Sequence, residues 1–112
     1  MAVLVGPVEV ERDDPRRWPW PAPVAFVADR STAALVTSLR SARALVGNDS
    51  GVTHLAALVR VPTVAVFGPT EPRVWAPQGA HVRVVGDPGS GAPDVAVERV
   101  LAALRALLPA DW

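Results

Sequence analysis

The segment from Gly47 to Ala57, with the sequence GNDSGVTHLAA, constrains the fold of this 112-residue chain more than any other stretch. Leu45 and Val46 complete a short apolar strand, and the glycine and asparagine that follow predict a tight turn. Ser50 is a good helix N-cap, and the apolar residues after it recur at helical spacing. The segment therefore predicts a strand end, a turn and a helix N-terminus in immediate succession.

The predicted helix N-terminus has the properties of a phosphate-binding site. We expect the amides of Gly51, Val52 and Thr53 to lack intrahelical partners and to carry the positive end of the helix dipole, which suits a diphosphate. Gly51 would let the ligand approach the backbone closely. His54 lies one turn after Ser50 on the same helical face, so both side chains are candidate ligand contacts.

A second apolar, β-branched run, Thr63 to Phe67, predicts a buried strand that ends at Gly68 and Pro69. In open α/β sheets, ligands bind outside the carboxyl ends of parallel strands. We therefore expect the loop from Gly68 to Pro72 to lie beside the turn from Gly47 to Gly51, with both loops facing one cleft.

The rest of the chain alternates further strands and helices. The predicted strands are Val3 to Val5, Ala25 to Val27 and an edge strand at Val82 to Val85. One predicted helix runs from Asp29 or Ser31 to about Ala42, and another begins at Asp94. The second helix has an apolar stripe formed by Val97, Val100, Leu101, Leu104 and Leu108. Strands separated by helices imply a parallel sheet with right-handed crossovers. The pattern therefore predicts an α/β fold.

The run from Gly47 to Gly79, GNDSGVTHLAALVRVPTVAVFGPTEPRVWAPQG, resembles the signature of glycosyltransferase family 9, the heptosyltransferase-like enzymes. In that family an Asp-Ser/Thr-Gly-x-x-His-Leu-Ala motif precedes a Phe-Gly-Pro-Thr loop. Gly6 to Arg12 is similar to a strand and loop of the same domain. The resemblance implies that residues 1–112 form one Rossmann-like domain with helices on both faces of its sheet, the C-terminal, donor-binding half of a GT-B enzyme.

The resemblance also implies a function and a set of contacts. The domain would bind a nucleoside-diphosphate sugar, ADP-linked, for transfer with inversion to a lipopolysaccharide-type or other glycan acceptor. The implied donor contacts are Glu9, Asp49, Ser50, Gly51, Val52, Thr53, His54, Gly68, Pro69 and Thr70. Backbone amides of this set would stabilise the departing diphosphate, so that no metal and no cofactor is expected.

Several of these residues have alternative interpretations. Asp49 could cap the turn instead of orienting the sugar or His54. Glu9, which the resemblance places on the donor ribose, could be an ordinary solvated acid. Asp49 and His54 are too few for a metal site. Ser50 is not expected to be a nucleophile, because its surroundings do not match the G-x-S-x-G pattern.

The length of the chain limits the activity that it could have alone. A GT-B enzyme has two Rossmann-like domains, and 112 residues supply at most one. In this family the general base and the acceptor pocket belong to the N-terminal domain, so the catalytic residues of this chain are unknown. Three alternatives follow: a donor half that acts with a separate N-terminal half, a nucleotide-binding module without catalysis, or a truncated remnant.

Composition excludes some partners and sites. The formal net charge is zero, which gives no electrostatic reason to expect nucleic acid as a partner, and the absence of cysteine excludes disulfides and thiolate metal sites. No apolar run approaches the ~20 residues of a membrane span, and no signal-peptide pattern opens the chain. We expect a cytoplasmic protein. The proline-rich loop from Arg12 to Pro23, with Trp18 and Trp20, could touch the inner membrane face or the other domain, or could fold back on the sheet.

Overall fold

The computed structural model describes residues 1–4, 13–28, 31–48, 50–67, 79–86 and 96–109. In this part of the chain, the strands and α-helices follow one another in the order that the sequence predicts. The elements are β1 (Ala2–Leu4), a 3-10 turn (Pro15–Arg17), β2 (Ala25–Val27), α1 (Thr32–Ser41), β3 (Leu45–Gly47), α2 (Gly51–Leu58), β4 (Thr63–Val66), β5 (Val82–Val85) and α3 (Val97–Leu107).

All the strand pairs in the described residues are parallel. β1 pairs with β2, with Ala2 opposite Ala25. β3, β4 and β5 form a second sheet in that order, so that β4 is central and β5 lies at an edge, as predicted. Parallel strands alternating with helices confirm the α/β fold with a Rossmann-like arrangement.

The chain divides into two compact units, residues 1–35 and residues 36–112, and each sheet belongs to one unit. α1 crosses the boundary between them. The expectation that residues 1–112 form one domain stays a prediction.

The core of the second unit is built around β4. Val64 and Ala65 are fully buried, because β4 has a strand on each side and because α2 and α3 both pack against it. Phe67, directly after the strand, is also buried. A strand covered on both faces has a continuous apolar sequence instead of an alternating one. The burial of β4 therefore explains the run that predicted it.

Two helix starts test the capping predictions. Ser31 is the N-cap of α1, since its Oγ accepts a hydrogen bond from the amide of Ala34 at 3.1 Å. α3 begins at Val97 after an N-cap residue, Ala96, that makes no side-chain cap; the predicted cap, Asp94, lies outside the described residues. The apolar stripe of α3 is only partly covered, because Val97 is 66% exposed.

The proline-rich segment contains one short helical turn where the sequence predicted none. The turn begins at Pro15, whose fixed backbone angle suits a first helical position. The carboxylate of Asp14 caps it by accepting from the amide of Arg16 at 3.0 Å, and the Arg16 guanidinium pairs with the same carboxylate at 2.7 Å. Hydrogen bonding to Arg16 holds the pKa of the Asp14 carboxyl below its ordinary value.

The tryptophans of this segment fold back toward β2, one of the two arrangements considered from the sequence. Trp18 stacks on Trp20, with ring centroids 5.6 Å apart, and Trp20 meets the ring of Phe26 edge to face at 6.3 Å. The indole Nε1 of Trp20 donates to the carbonyl of Pro15 at 2.8 Å. The three rings form one cluster within residues 1–35, and Trp18 remains 44% exposed.

Candidate functional site

The candidate site lies at the carboxyl end of β3, where the chain turns into α2. Because β3 and β4 are adjacent and parallel, with Gly47 opposite Ala65, the residues that follow each strand leave the same edge of the sheet. Among the described residues, Asn48 follows β3 and Phe67 follows β4 at that edge. The strand arrangement is therefore the one that the expected cleft requires.

Ser50 is the N-cap of α2, as the sequence predicts. Its backbone is extended, with φ −147° and ψ 162°, and its carbonyl accepts the first helical hydrogen bond, from the amide of His54 at 3.2 Å. Its Oγ accepts a long hydrogen bond, 3.5 Å, from the amide of Thr53. Ser50 as a whole is half-buried.

Two of the three amides expected to be free have no partner in the described residues. These are the amides of Gly51 and Val52, at the first two positions of α2. The cap takes up the third, that of Thr53. Unpartnered amides at a helix N-terminus carry a partial positive charge and suit an anion.

Gly51 and Gly47 are glycines for different reasons. A Cβ built on Gly51 would meet no described atom within 4 Å, and the backbone of this exposed residue does not have a positive φ. A Cβ built on Gly47 would instead collide with Oγ1 of Thr53. Gly47 is the last residue of β3 and also lacks a positive φ, so the expectation that it provides unusual turn angles is wrong.

The side chains of the first helical turn divide between the interior and the surface. Thr53 is 1% exposed, and its Oγ1 lies 3.2 Å from Oγ of Ser50. His54, one position further, is exposed at the surface, and Val52 is half-buried. The helical spacing placed His54 one turn after Ser50 on the same helical face, but it gave no indication that the buried hydroxyl of Thr53 pairs with Ser50.

The C-terminal end of α2 is held by a Schellman motif. The amide of Val61 donates to Ala56 at 3.0 Å and the amide of Arg60 donates to Ala57 at 3.2 Å, which together satisfy the last carbonyls of the helix. Arg60 has the left-handed φ of 68° that this motif requires and that glycine usually provides. The orientation of α2 is therefore fixed at both ends.

The remaining predicted contacts lie outside the described residues: Glu9, Asp49, Gly68, Pro69 and Thr70. Their roles stay predictions. In the part of the chain that the structure describes, no cluster of three or more His, Asp or Glu side chains could hold a metal ion. None of the described helices has the length and apolar character needed to cross a membrane.

Comparison with known proteins shows which family the sequence of this chain matches. Residues 23–104 match the sequence profile of Glycosyltransferase family 9 (heptosyltransferase). Lipopolysaccharide heptosyltransferase 2 of Escherichia coli strain K12 is 34% identical, over 65% of this chain and 25% of the relative. Lipopolysaccharide heptosyltransferase 1 of Pseudomonas aeruginosa strain PAO1 is 50% identical, over 38% of this chain and 12% of the relative.

The corresponding enzyme of Salmonella typhimurium strain LT2, lipopolysaccharide heptosyltransferase 2, is 33% identical over 65% of this chain and 25% of its own length. No solved structure matches the chain. The chain spans about a quarter or less of the length of the curated relatives that it matches.

Proposed function

The chain belongs to glycosyltransferase family 9, and from this we propose that it is the donor-binding part of a glycosyltransferase. The observation that carries the proposal is the open N-terminus of α2. The amides of Gly51 and Val52 there have no partner in the described residues. Gly51 is exposed, and a Cβ built on it would meet no described atom within 4 Å outside its own helix and chain neighbours. The family match includes this helix and the strands on which it rests.

The ligand that fits this N-terminus is the diphosphate of a nucleotide sugar. The amides of Gly51 and Val52 would donate to phosphate oxygens, and the helix dipole would favour the negative charge. The hydroxyl of Ser50 would add a third donor. His54, exposed one turn further along, would reach the diphosphate or the sugar. As the bond to the anomeric carbon breaks, these fixed donors would stabilise the charge on the leaving nucleoside diphosphate.

Five further residues complete the proposed donor site: Glu9, Asp49, Gly68, Pro69 and Thr70. Glu9 would hydrogen-bond the ribose, and Asp49 would orient the sugar or His54. The amides of Gly68 and Thr70 would donate to the diphosphate, whereas Pro69, which has no N–H, would shape the loop. The names of the matched relatives support a heptose or related sugar and a lipopolysaccharide-type acceptor, and we propose an ADP-linked donor without a metal or another cofactor.

The general base and the acceptor pocket would belong to a partner half, either a separate polypeptide or further sequence. The fraction of the relatives that the chain covers supports this division. We also propose a cytoplasmic location, in which the assembled enzyme would meet a lipid-linked acceptor at the inner membrane face. The competing possibility is a nucleotide-binding module, or a remnant of the enzyme, that transfers nothing.

Calorimetric titration of the purified chain with ADP, GDP and UDP tests the donor site. We expect ADP to bind, and we expect His54→Ala to weaken binding by about 1.5 to 3 kcal/mol, the value of a hydrogen bond to a charged group. Asp13→Ala, an exposed carboxylate in residues 1–35, is the control and should leave the affinity unchanged. Failure of all three nucleotides to bind would overturn the proposal, and equal damage by both variants would place the site elsewhere.

A transfer assay distinguishes the partner half from the alternatives. The pure chain should show no glycosyl transfer from ADP-sugar, whereas addition of an N-terminal GT-B half from an adjacent reading frame should produce it. Turnover by the pure chain that His54→Ala abolishes would show that the catalytic base is encoded here after all. Nucleotide binding that no N-terminal half converts to transfer would favour the binding module.

A further inference from the structure

Thr53 combines a polar side chain with complete burial at the edge of the proposed donor site. It is 1% exposed, and in the described residues the hydrogen-bond partner of its Oγ1 is Oγ of Ser50, 3.2 Å away. A buried hydroxyl hydrogen that has no acceptor has lost its hydrogen bond to water without replacing it, even where the oxygen accepts from another group. The hydroxyl of Thr53 is therefore best satisfied as the donor in this pair.

The direction of this hydrogen bond decides what Ser50 can do. With Thr53 donating, Oγ of Ser50 accepts from the Thr53 hydroxyl and also, at 3.5 Å, from the Thr53 amide. Both acceptor positions of the serine oxygen are then used by Thr53. The hydrogen of Ser50 must then point away from both of these donors, which leaves it available to an acceptor other than Thr53.

We infer that Thr53 is a positioning residue that orients the Ser50 hydroxyl as a hydrogen-bond donor to the diphosphate. This inference rests on the proposed function. Thr53 touches no ligand itself, and its contribution to binding passes entirely through Ser50.

Gly47 belongs to the same arrangement. Its Cα faces Oγ1 of Thr53 so closely that a side chain at position 47 would collide with that oxygen. The next nearest atoms to a Cβ built on Gly47 would be Cβ of Thr53 at 3.5 Å and Cδ2 of Leu45 at 3.7 Å, both at ordinary contact distance. The absence of a side chain at Gly47 therefore serves the Thr53 hydroxyl specifically.

Thr53→Val and Thr53→Ser separate the hydroxyl from the shape of the side chain. Valine keeps the volume and removes the hydroxyl, whereas serine keeps the hydroxyl. By calorimetry, Thr53→Val should weaken ADP binding about five-fold, in the range of one neutral hydrogen bond, and Thr53→Ser should bind nearly as the wild type does. Thermal unfolding without nucleotide should change little in Thr53→Val, because valine fills the same space and Ser50 can turn to water. Equal affinity of the wild type and Thr53→Val would overturn the inference.

A double-mutant cycle with Ser50→Ala supplies the readout that a merely structural residue would not affect. Ser50→Ala alone should weaken ADP binding, and adding Thr53→Val should cause no further loss, because the residue that Thr53 orients is gone. Additive losses would show that Thr53 acts by another route and would overturn the inference. Should Thr53→Val fail to fold, Thr53→Ala replaces it in the same cycle with the same expected outcomes.

Gly47→Ala completes the test from the other side of the contact. Alone it should weaken ADP binding and lower the melting temperature, whereas in the Thr53→Ala background it should cost little further, since the colliding oxygen is absent. Equal losses in both backgrounds would count against the inference. If the wild-type chain binds no nucleotide, the proposed function fails and the inference with it; if Ser50→Ala weakens binding but Thr53→Val does not, only the inference fails.

Discussion

The Nε2 atom of His81 lies 2.7 Å from the carbonyl oxygen of Ala57, which ties the last turn of α2 to the start of β5 across 24 residues of sequence. The same carbonyl also accepts from the amide of Arg60 at 3.2 Å. Ala57 is buried and His81 is half-buried, so the contact is partly removed from water. The helix that presents the proposed phosphate site is thus anchored to the sheet at the end opposite that site.

His81→Ala should lower the free energy of unfolding by about 1 kcal/mol, the net value of one hydrogen bond, because Ala57 retains its second donor. The other histidine of the chain is the matched control for ligand binding. His54→Ala should weaken ADP binding, whereas His81→Ala, at the opposite end of α2, should leave that affinity nearly unchanged. For stability, the control is Leu58→Ala in the same helix, which removes a side chain that is 79% exposed and should change the free energy of unfolding by less than about 0.5 kcal/mol. Urea denaturation of His81→Ala and Leu58→Ala measures the difference in stability. A similar loss in both would show that the His81 contact does not hold α2.

Gly86 and Gly51 should respond oppositely to alanine. Gly86 has φ +151°, and a Cβ there would collide with the carbonyl oxygen of Phe67, so Gly86→Ala should cost about 2 kcal/mol or more. A Cβ at position 51 would crowd no described atom, so Gly51→Ala should leave the free energy of unfolding unchanged or raise it slightly. Gly51→Val should nevertheless be the most damaging of these variants to ADP binding, because its side chain would occupy the space of the diphosphate. Thermal unfolding and calorimetry check both halves of this prediction, and a destabilised Gly51→Ala would contradict it.

The features predicted correctly from the sequence are those that short-range chemistry determines. Ser50 and Ser31 cap α2 and α1 because a serine hydroxyl can accept from an amide three residues later in the chain. The run from Thr63 to Phe67 predicted β4 because a strand buried on both faces needs apolar residues throughout. Both signals are contained in segments of a few residues, so no knowledge of the fold was needed.

The features that the sequence did not predict depend on residues brought together by the fold. Gly47 looked like a turn glycine, but its role is to leave room for a hydroxyl six positions later, after the chain has turned into α2. His81 reaches Ala57 only because β5 lies beside β4. The stripe of α3 followed the helical period, yet Leu101 is 41% exposed, because periodicity defines an apolar face without specifying what covers it.

The pKa of Asp14 should respond to its arginine partner. The hydrogen bonds from Arg16 hold that pKa below the ordinary carboxyl value, so the pair stabilises its turn above about pH 4 and loses this contribution as the pH falls through the lowered pKa. Arg16→Gln should return the pKa of Asp14 toward the ordinary value. NMR titration of the Asp14 carboxyl carbon measures this pKa in the wild type and in Arg16→Gln. Identical titration curves for the wild type and Arg16→Gln would show that the pair does not persist in solution.

Arg60 occupies a backbone conformation that suits glycine better than arginine. Its φ of 68° places it in the left-handed region, at the position of the Schellman motif where glycine is usual. This conformation costs an L-residue with a side chain about 1 to 2 kcal/mol. It costs glycine little, although glycine loses more chain entropy on folding. Arg60→Gly should therefore raise the free energy of unfolding by about 0.5 to 1 kcal/mol, and Arg60→Ala should leave it nearly unchanged.

The same substitution in a regular helix provides the control for this prediction. Arg105 is exposed in the last turn of α3, where glycine is less favourable than a good helix former and a basic side chain suits the helix dipole, so Arg105→Gly should lower the free energy of unfolding. Urea denaturation of the two variants should thus give changes of opposite sign, although each removes one exposed arginine. If Arg60→Gly destabilises the chain as Arg105→Gly does, then the guanidinium or aliphatic stem of Arg60 stabilises the end of α2 by more than its backbone conformation costs.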